Sequence, residues 1–440
     1  MNTILCIRKT LLTATCLLVA SMLSACSPPP ESTEQVQPQA TTDTSESQDI
    51  TVVDLVSQAQ AIHDRVLVLD AHADIVPPGT TSRYGDADGS SQVAPNKMAT
   101  GGVDAVVLAV AVGSGPRTPA GDAEARAIAD VELAGVMAIA DADDRVVVVR
   151  SADELEQAHA NGEIALLLGF QNARILQGSV DALNEFYDAG VRVFALTHLG
   201  HNDFADSSRP VYIAESGGYE PTEEHGGLSA LGKAAIARIN ELGAVVDVSQ
   251  LSKPATLQAI ELSQTPVIAS HSNVRALSDV ARNLSDEEID LIGATGGVIH
   301  IAAFTAYLLD ISEPQLIENI KAIRREAGID ERYSYPYELY WEIDNPEEQT
   351  AFLTAMRDLL GPTTVSRMVD HIDYLVERIG IDHVGIGNDF NHGGGIADFR
   401  NAEDALNMTL GLLERGYSAE DIEKIWSGNF IRVMRVAEAN

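Results

Sequence analysis

At 440 residues the chain has room for two or three average domains or one large barrel. Its composition, 45% apolar and 21% charged, is that of a globular protein, but a net charge of −36 repels phosphate backbones and disfavours nucleic-acid binding. The three cysteines, Cys6, Cys16 and Cys26, all fall in the first 26 residues, so disulfides, thiolate metal sites and cysteine nucleophiles are excluded from the body of the chain.

Arg8-Lys9 followed by the apolar run Leu11 to Leu23 reads as a signal peptide, too short to span a bilayer. It ends in Leu23-Ser24-Ala25-Cys26, which resembles the bacterial lipobox. That resemblance implies cleavage after residue 25 and diacylation of Cys26. Ser27 next to it resembles outer-membrane sorting, so the expected location is an outer-membrane lipoprotein facing the periplasm of a Gram-negative bacterium. Residues 26–50 are rich in Pro, Ser, Thr, Gln and Glu and read as a disordered tether. Residues 1–50 carry only two basic and five acidic residues, so nearly all the negative charge sits on the body, 51–440. A solvated acidic surface is the reading of that charge.

The first strand of the body is Val66-Leu67-Val68-Leu69-Asp70-Ala71-His72-Ala73-Asp74. Alternate strand residues share a face, so His72 and Asp74 project together and make a start on a divalent metal site. Seven more apolar runs follow, at 104–110, 164–170, 192–197, 244–249, 266–270, 297–302 and 383–388. Helical patterns separate most of them, at 121–140, 152–161, 179–189, 229–242, 253–263, 285–293 and 363–379. Near-continuous apolar strands alternating with helices predict a parallel sheet covered on both faces, and eight units predict a (β/α)8 TIM barrel.

The polar strand ends favour the barrel over an open sheet. His72 and Asp74 end the first run, Gln171 the third, His198 the fourth, Gln250 the fifth, His271 the sixth and Asp389 the eighth. Active sites of such barrels gather at the C-terminal strand ends. Residues 305–360 form an inserted helical and aromatic segment between strands seven and eight, with Arg332 to Tyr337, Tyr340 and Trp341 as its aromatic part. It reads equally as a pocket lid or as helices packed on the outer ring. Residues 418–431 read as a closing helix capped by Ser418.

Together these residues resemble the membrane dipeptidase family of the amidohydrolase superfamily, over roughly residues 55–437. The signatures are Leu69 to Asp74, Leu196-Thr197-His198 with Asn202-Asp203, Val246 to Ser249, Ile268 to Ser272, Ala281-Arg282-Asn283 and Asp382 to Phe390. The resemblance implies a metallopeptidase that splits dipeptides, usually with two zinc ions bridged by a glutamate, and a homodimer on resemblance alone. It assigns His72 and Asp74 to the first metal and His271 to the second. His198 and Asn202 fall to substrate contact, with His198 also stabilising the tetrahedral intermediate. Arg282 is assigned to the substrate carboxylate and Asp389 to acid/base catalysis. His201, His225, His383 and His392 have no role and read as loop or surface residues.

Two positions depart from the family pattern. Gln171 stands where a bridging Glu is expected, and Gln250 where a His is expected. Both are weak metal ligands, so the charge available for a second ion falls. Three arrangements stay open: a hydrolase with one zinc, a dipeptide-binding protein without turnover, and a two-zinc dipeptidase using Gln171 and Gln250 as amide ligands. The retained His198, Arg282 and Asp389 favour the hydrolase. On the sequence alone, Gln171→Glu with Gln250→His is expected to restore a second metal.

Overall fold

The computed structural model describes residues 52–213, 218–329 and 345–440. The signal peptide, Cys26, the tether and the aromatic part of the insertion lie outside the described residues.

The strands are β1 (Leu69–Asp74), β2 (Ala105–Ala111), β3 (Val146–Val149), β4 (Ile164–Gln171), β5 (Val191–Ala195), β6 (Tyr212–Ile213), β7 (Gly218–Tyr219), β8 (Val245–Asp247), β9 (Ile268–Ala269), β10 (Val298–Ile301) and β11 (Val384–Ile386). Parallel neighbours run β1-β2-β4-β5-β8-β9-β10-β11. Past the end of β11 the chain returns to β1: Ala73 bridges Phe390 in parallel, Asp74 N–H donates to Phe390 O at 2.9 Å, and Asp389 N–H donates to His72 O at 3.1 Å. The path is thus a nearly closed eight-stranded parallel barrel, the (β/α)8 fold that the apolar runs predict. Its strands are apolar on both faces because one lines the barrel and the other meets helices. All eight residues of β4 are buried.

Helix starts follow local chemistry. Thr118, Ser151, Ser229 and Ser252 each accept a backbone N–H of the first turn, and Ser285 with Glu288 forms a capping box. The closing helix runs further than its pattern suggests. After Ser418 it spans Ala419–Glu423, opens into a π turn at Lys424–Gly428 and continues over Asn429–Glu438.

Two additions escaped the sequence. The four valines of β3 pair with the N-terminal half of β4, on the edge whose C-terminal half pairs with β5. A β-branched run this short, trapped between two helices, carries no period of its own. The hairpin β6/β7 lies in the long connection from β5 to β8. In the insertion, helices Pro314–Glu326 and Pro346–Leu360 share a small core of Ile320, Ile329, Phe352 and Met356. Phe304, Met356, Arg357, Tyr84, Gln92 and Gly393–Gly395 are among the residues lining a cavity of about 620 Å³. No helix among the described residues is long and apolar enough to cross a membrane.

Candidate active site at the C-terminal barrel mouth

β1 carries an irregularity between Asp70 and Ala73 that shifts its register against β2 by one residue. Such a bulge re-aims side chains at a strand end. Asp70 sits below it, fully buried, accepting the backbone and side-chain N–H groups of Asn388, each at 2.9 Å. Burial pushes its carboxyl up to about 6. This pairing fixes the segment after β11 against β1 and sets Asp389 opposite His72.

His72 Nε2 then lies 3.7 Å from Asp74 Oδ1 and 3.9 Å from Asp389 Oδ1. His72 Nε2 and Asp74 Oδ1 are buried and have no hydrogen-bond partner among the described residues. The tautomer follows from the groups behind the ring. Ser270 Oγ donates to Asp247 Oδ2 at 2.5 Å and so accepts from His271 Nδ1 at 2.8 Å and His72 Nδ1 at 3.4 Å. With protons on both Nδ1 atoms, both Nε2 lone pairs face the mouth. Burial pulls His72 down, but the charges of Asp74 and Asp389 outweigh it, and its pKa rises. A lone pair facing two carboxylates calls for a cation, and the residues fit one divalent ion at His72, Asp74 and Asp389.

His271 stacks on His72, with ring centroids 3.7 Å apart and planes 17° apart. One ligand atom each of His72, His271 and Asp389 falls within 4.8 Å of the others. Near-parallel rings set the two imidazoles side by side at the mouth. The position in front of His271 is filled by protein. Gln250 Nε2 approaches His271 Nε2 at 3.2 Å and Gln171 Nε2 approaches it at 3.3 Å. The Gln250 amide is oriented by Arg209, whose Nη2 donates to Oε1 at 2.8 Å. Gln171 and Gln250, read from the sequence as weak metal ligands, therefore turn N–H groups towards the lone pair a metal would use. An N–H donor cannot ligate a cation.

His392 corrects the sequence reading. Instead of lying on a loop surface, its Nδ1 contacts Asp74 Oδ2 at 2.8 Å, its Nε2 contacts His198 Nε2 at 3.1 Å, and its ring stacks on Tyr84. Burial lowers its pKa, the charge and bond of Asp74 raise it, and the net shift is upward. In return His392 and then His72 hold Asp74 below the usual carboxylate range despite burial. His198 is pushed well down by burial and by the charges of His392 and Arg209, so it is neutral at pH 7. Its Nδ1 has no partner among the described residues.

Arg282 is buried. Its Nη1 donates to Ser272 Oγ at 2.9 Å and its Nη2 to His271 O, and it lies 5.2 Å from the Tyr307 ring centroid. These bonds fix its guanidinium beside the strand end that carries His271. Asn202 is placed differently from its expected substrate role. Its Nδ2 donates to Leu196 O and Asn172 Oδ1, and its Oδ1 accepts from Phe204 and Ala205 N–H, so the whole amide is engaged inside the loop after β5. His201 and His225 likewise bond loop carbonyls, those of Pro221 and Asn202, and His383 bonds Gly297 O.

Asp389 and Gln250 both adopt left-handed backbone, with φ of 61° and 68°. Residues other than glycine rarely sit there, and such positions cluster where a side chain must be aimed.

A near-closed parallel barrel with a histidine-carboxylate cluster at its C-terminal mouth is the architecture of amidohydrolase-type enzymes. The chain belongs to the family described as membrane dipeptidase, peptidase family M19, whose model matches residues 56–440. The probable dipeptidase PvdM from Pseudomonas aeruginosa is 33% identical, with a TM-score of 0.76, and the match covers 88% of this chain and 100% of that one. A metallo peptidase from Rhodobacter sphaeroides, 19% identical over 84% of this chain and 99% of its own, shares the fold with a TM-score of 0.65. Among curated relatives, dipeptidase aclJ from Aspergillus oryzae is 29% identical over 280 residues, 63% of this chain. The chain spans about half the length of that relative, 52%.

Proposed function

We propose that this chain is a metal-dependent dipeptidase that holds one divalent ion, zinc by family habit, at His72, Asp74 and Asp389. The observation that carries this reading is the buried pair His72 Nε2 and Asp74 Oδ1, 3.7 Å apart and without hydrogen-bond partners among the described residues. Leaving such groups unpaired costs about 1–3 kcal/mol each, so a site that keeps them is built for a ligand. Family membership and relatives named as dipeptidases support the substrate class.

When bound, a divalent ion acts as a Lewis acid and brings the pKa of water in its coordination sphere to about 7. The chain's own groups do the rest. Asp389 lies where it can take a proton from the attacking water and return it to the leaving amine. Neutral His198 offers Nδ1 to the developing negative charge on the scissile carbonyl. Arg282 offers a fixed guanidinium to the substrate's terminal carboxylate. His392 contacts one oxygen of Asp74 and one nitrogen of His198, so a single side chain orients both a carboxylate of the metal position and the neutral histidine. The N-terminal lipobox supports export and anchoring through Cys26.

The test is hydrolysis of a dipeptide panel by protein stripped with chelator and then reloaded with zinc. Zinc-dependent cleavage of dipeptides is expected. Protein that binds no metal and cleaves none of the panel, yet is protected against heat by a dipeptide, would overturn the enzyme in favour of a binding protein. For the anchor, Cys26→Ala is expected to abolish labelling by radioactive palmitate; unchanged labelling contradicts it.

A further inference from the structure

Arg209 lies in the connection between β5 and β8, and that connection is tied to the ends of both strands. Ser207 Oγ donates to His198 O at 2.6 Å, Ser208 N–H donates to Gln250 O at 2.9 Å, and Arg209 N–H donates to Ser207 Oγ at 3.2 Å. The side chain enters the barrel mouth and is buried, 3% exposed. Nη2 donates to Gln250 Oε1 and Nη1 to Tyr307 Oη, each at 2.8 Å.

A guanidinium offers only donors and does not lose its proton, so whatever it touches must accept. That fixes the Gln250 oxygen towards Arg209 and leaves its NH2 group pointing at His271 Nε2. Gln171 closes on the same nitrogen with its own NH2 group. The order from the loop inward is therefore cation, amide oxygen, amide N–H, imidazole lone pair. A metal ion in front of His271 would require each element reversed: the lone pair free, the amide oxygens turned inward, and no fixed positive charge one amide away.

We propose that Arg209 stands in for a second metal ion, excluding a cation from the His271 side of the mouth by locking Gln250 and placing its own fixed positive charge there. This rests on the reading that the His72 side holds one ion. It also changes what the two glutamines mean. They are the linking parts of an arginine-based cluster, and restoring Glu and His at 171 and 250 removes the two amides but leaves the Arg209 guanidinium charge in place.

The experiment is zinc stoichiometry, measured by elemental analysis after equilibrium dialysis. It uses the full chain, the double variant Gln171→Glu/Gln250→His, and the triple variant that adds Arg209→Met. The double variant is expected to bind no more zinc than the parent, and the triple variant to gain one equivalent over the double. A gain in the double variant with Arg209 in place overturns the proposal, and so does a triple variant that folds by circular dichroism and gains nothing. The unmutated protein is an independent check should the variants fail to fold. Its zinc isotherm is expected to show no second tight equivalent, and one that does refutes the proposal directly. Loss of dipeptide hydrolysis with these stoichiometries intact would remove the proposed function and leave this assignment standing.

Discussion

The two sides of the barrel mouth are built from strand ends of the same sheet, yet they treat their polar atoms in opposite ways. On the His72 side, a histidine lone pair faces two carboxylates, and two buried polar atoms go without hydrogen-bond partners among the described residues. On the His271 side, the lone pair meets two amide groups, and one amide oxygen meets a guanidinium. Both histidines share the same Ser270–Asp247 support, so the imidazoles are prepared alike and only their fronts differ. A buried polar group left unsatisfied costs stability and signals a missing ligand, whereas a satisfied one signals that the protein has supplied the partner itself. On the proposed reading, metal capacity is set by what faces the ring rather than by the presence of the histidine.

The largest expected effect breaks the His72 side. Asp389→Asn should lower kcat/KM by about 10²- to 10⁴-fold, the usual worth of a positioned acid/base. His72→Ala should also lose bound zinc. Activity within a few-fold of the parent for either variant would show that the His72 side is not where the chemistry lies. A smaller effect is expected at His392, which supports a ligand without being one. His392→Ala should weaken zinc affinity or activity by about 10- to 100-fold, as for other outer partners of metal ligands. Competition with a chelating dye reads the affinity, and no change in either quantity would remove His392 from the site.

Asn202 sharpens the boundary between site and scaffold. Asn202→Ala leaves the Phe204 and Ala205 N–H groups without their acceptor, so a stability loss of about 1–3 kcal/mol with KM unchanged is expected from urea unfolding. A raised KM without destabilisation would return Asn202 to the substrate. The smallest and least local effect separates the pH response of the fold from that of the site. His371 and His300 are pushed down to about 4 by burial. Because the unfolded chain binds these protons more readily, their contribution is complete above about pH 6.5 and is lost as pH falls towards 4. Thermal melts of zinc-free protein should show this decline, and His371→Gln should flatten it. An unflattened acid limb would assign the decline elsewhere.

The barrel was legible because its signal is repeated. Eight apolar runs end in polar residues at one register, and each strand end is fixed locally by period and by the helix that follows. His72, Asp74, His271 and Asp389 could be read for the same reason. His392 and Arg209 could not, because neither sits at a strand end. His392 is carried back to Asp74 by a tight turn in which Gly394 N–H donates to Asp389 O at 2.9 Å. The run Gly393-Gly394-Gly395 was the available sign that the backbone doubles back there. Arg209 reaches the mouth only through the long connection after β5, a segment without periodicity whose path is set by bonds to Gln250 and His198. Asn202 misled in the opposite sense, since a motif position says which residue is present and not whether its amide is already engaged. The glutamines stand out in the sequence as departures from the resemblance, but their partner Arg209 was out of sight.

The central claim is a mouth with one metal position and one protein-filled position. Its most direct test is the return of dipeptidase activity when metal-free protein is titrated with zinc. Activity is expected to rise linearly and break to a plateau at one equivalent. A plateau only at two equivalents, or full activity with none, would contradict it.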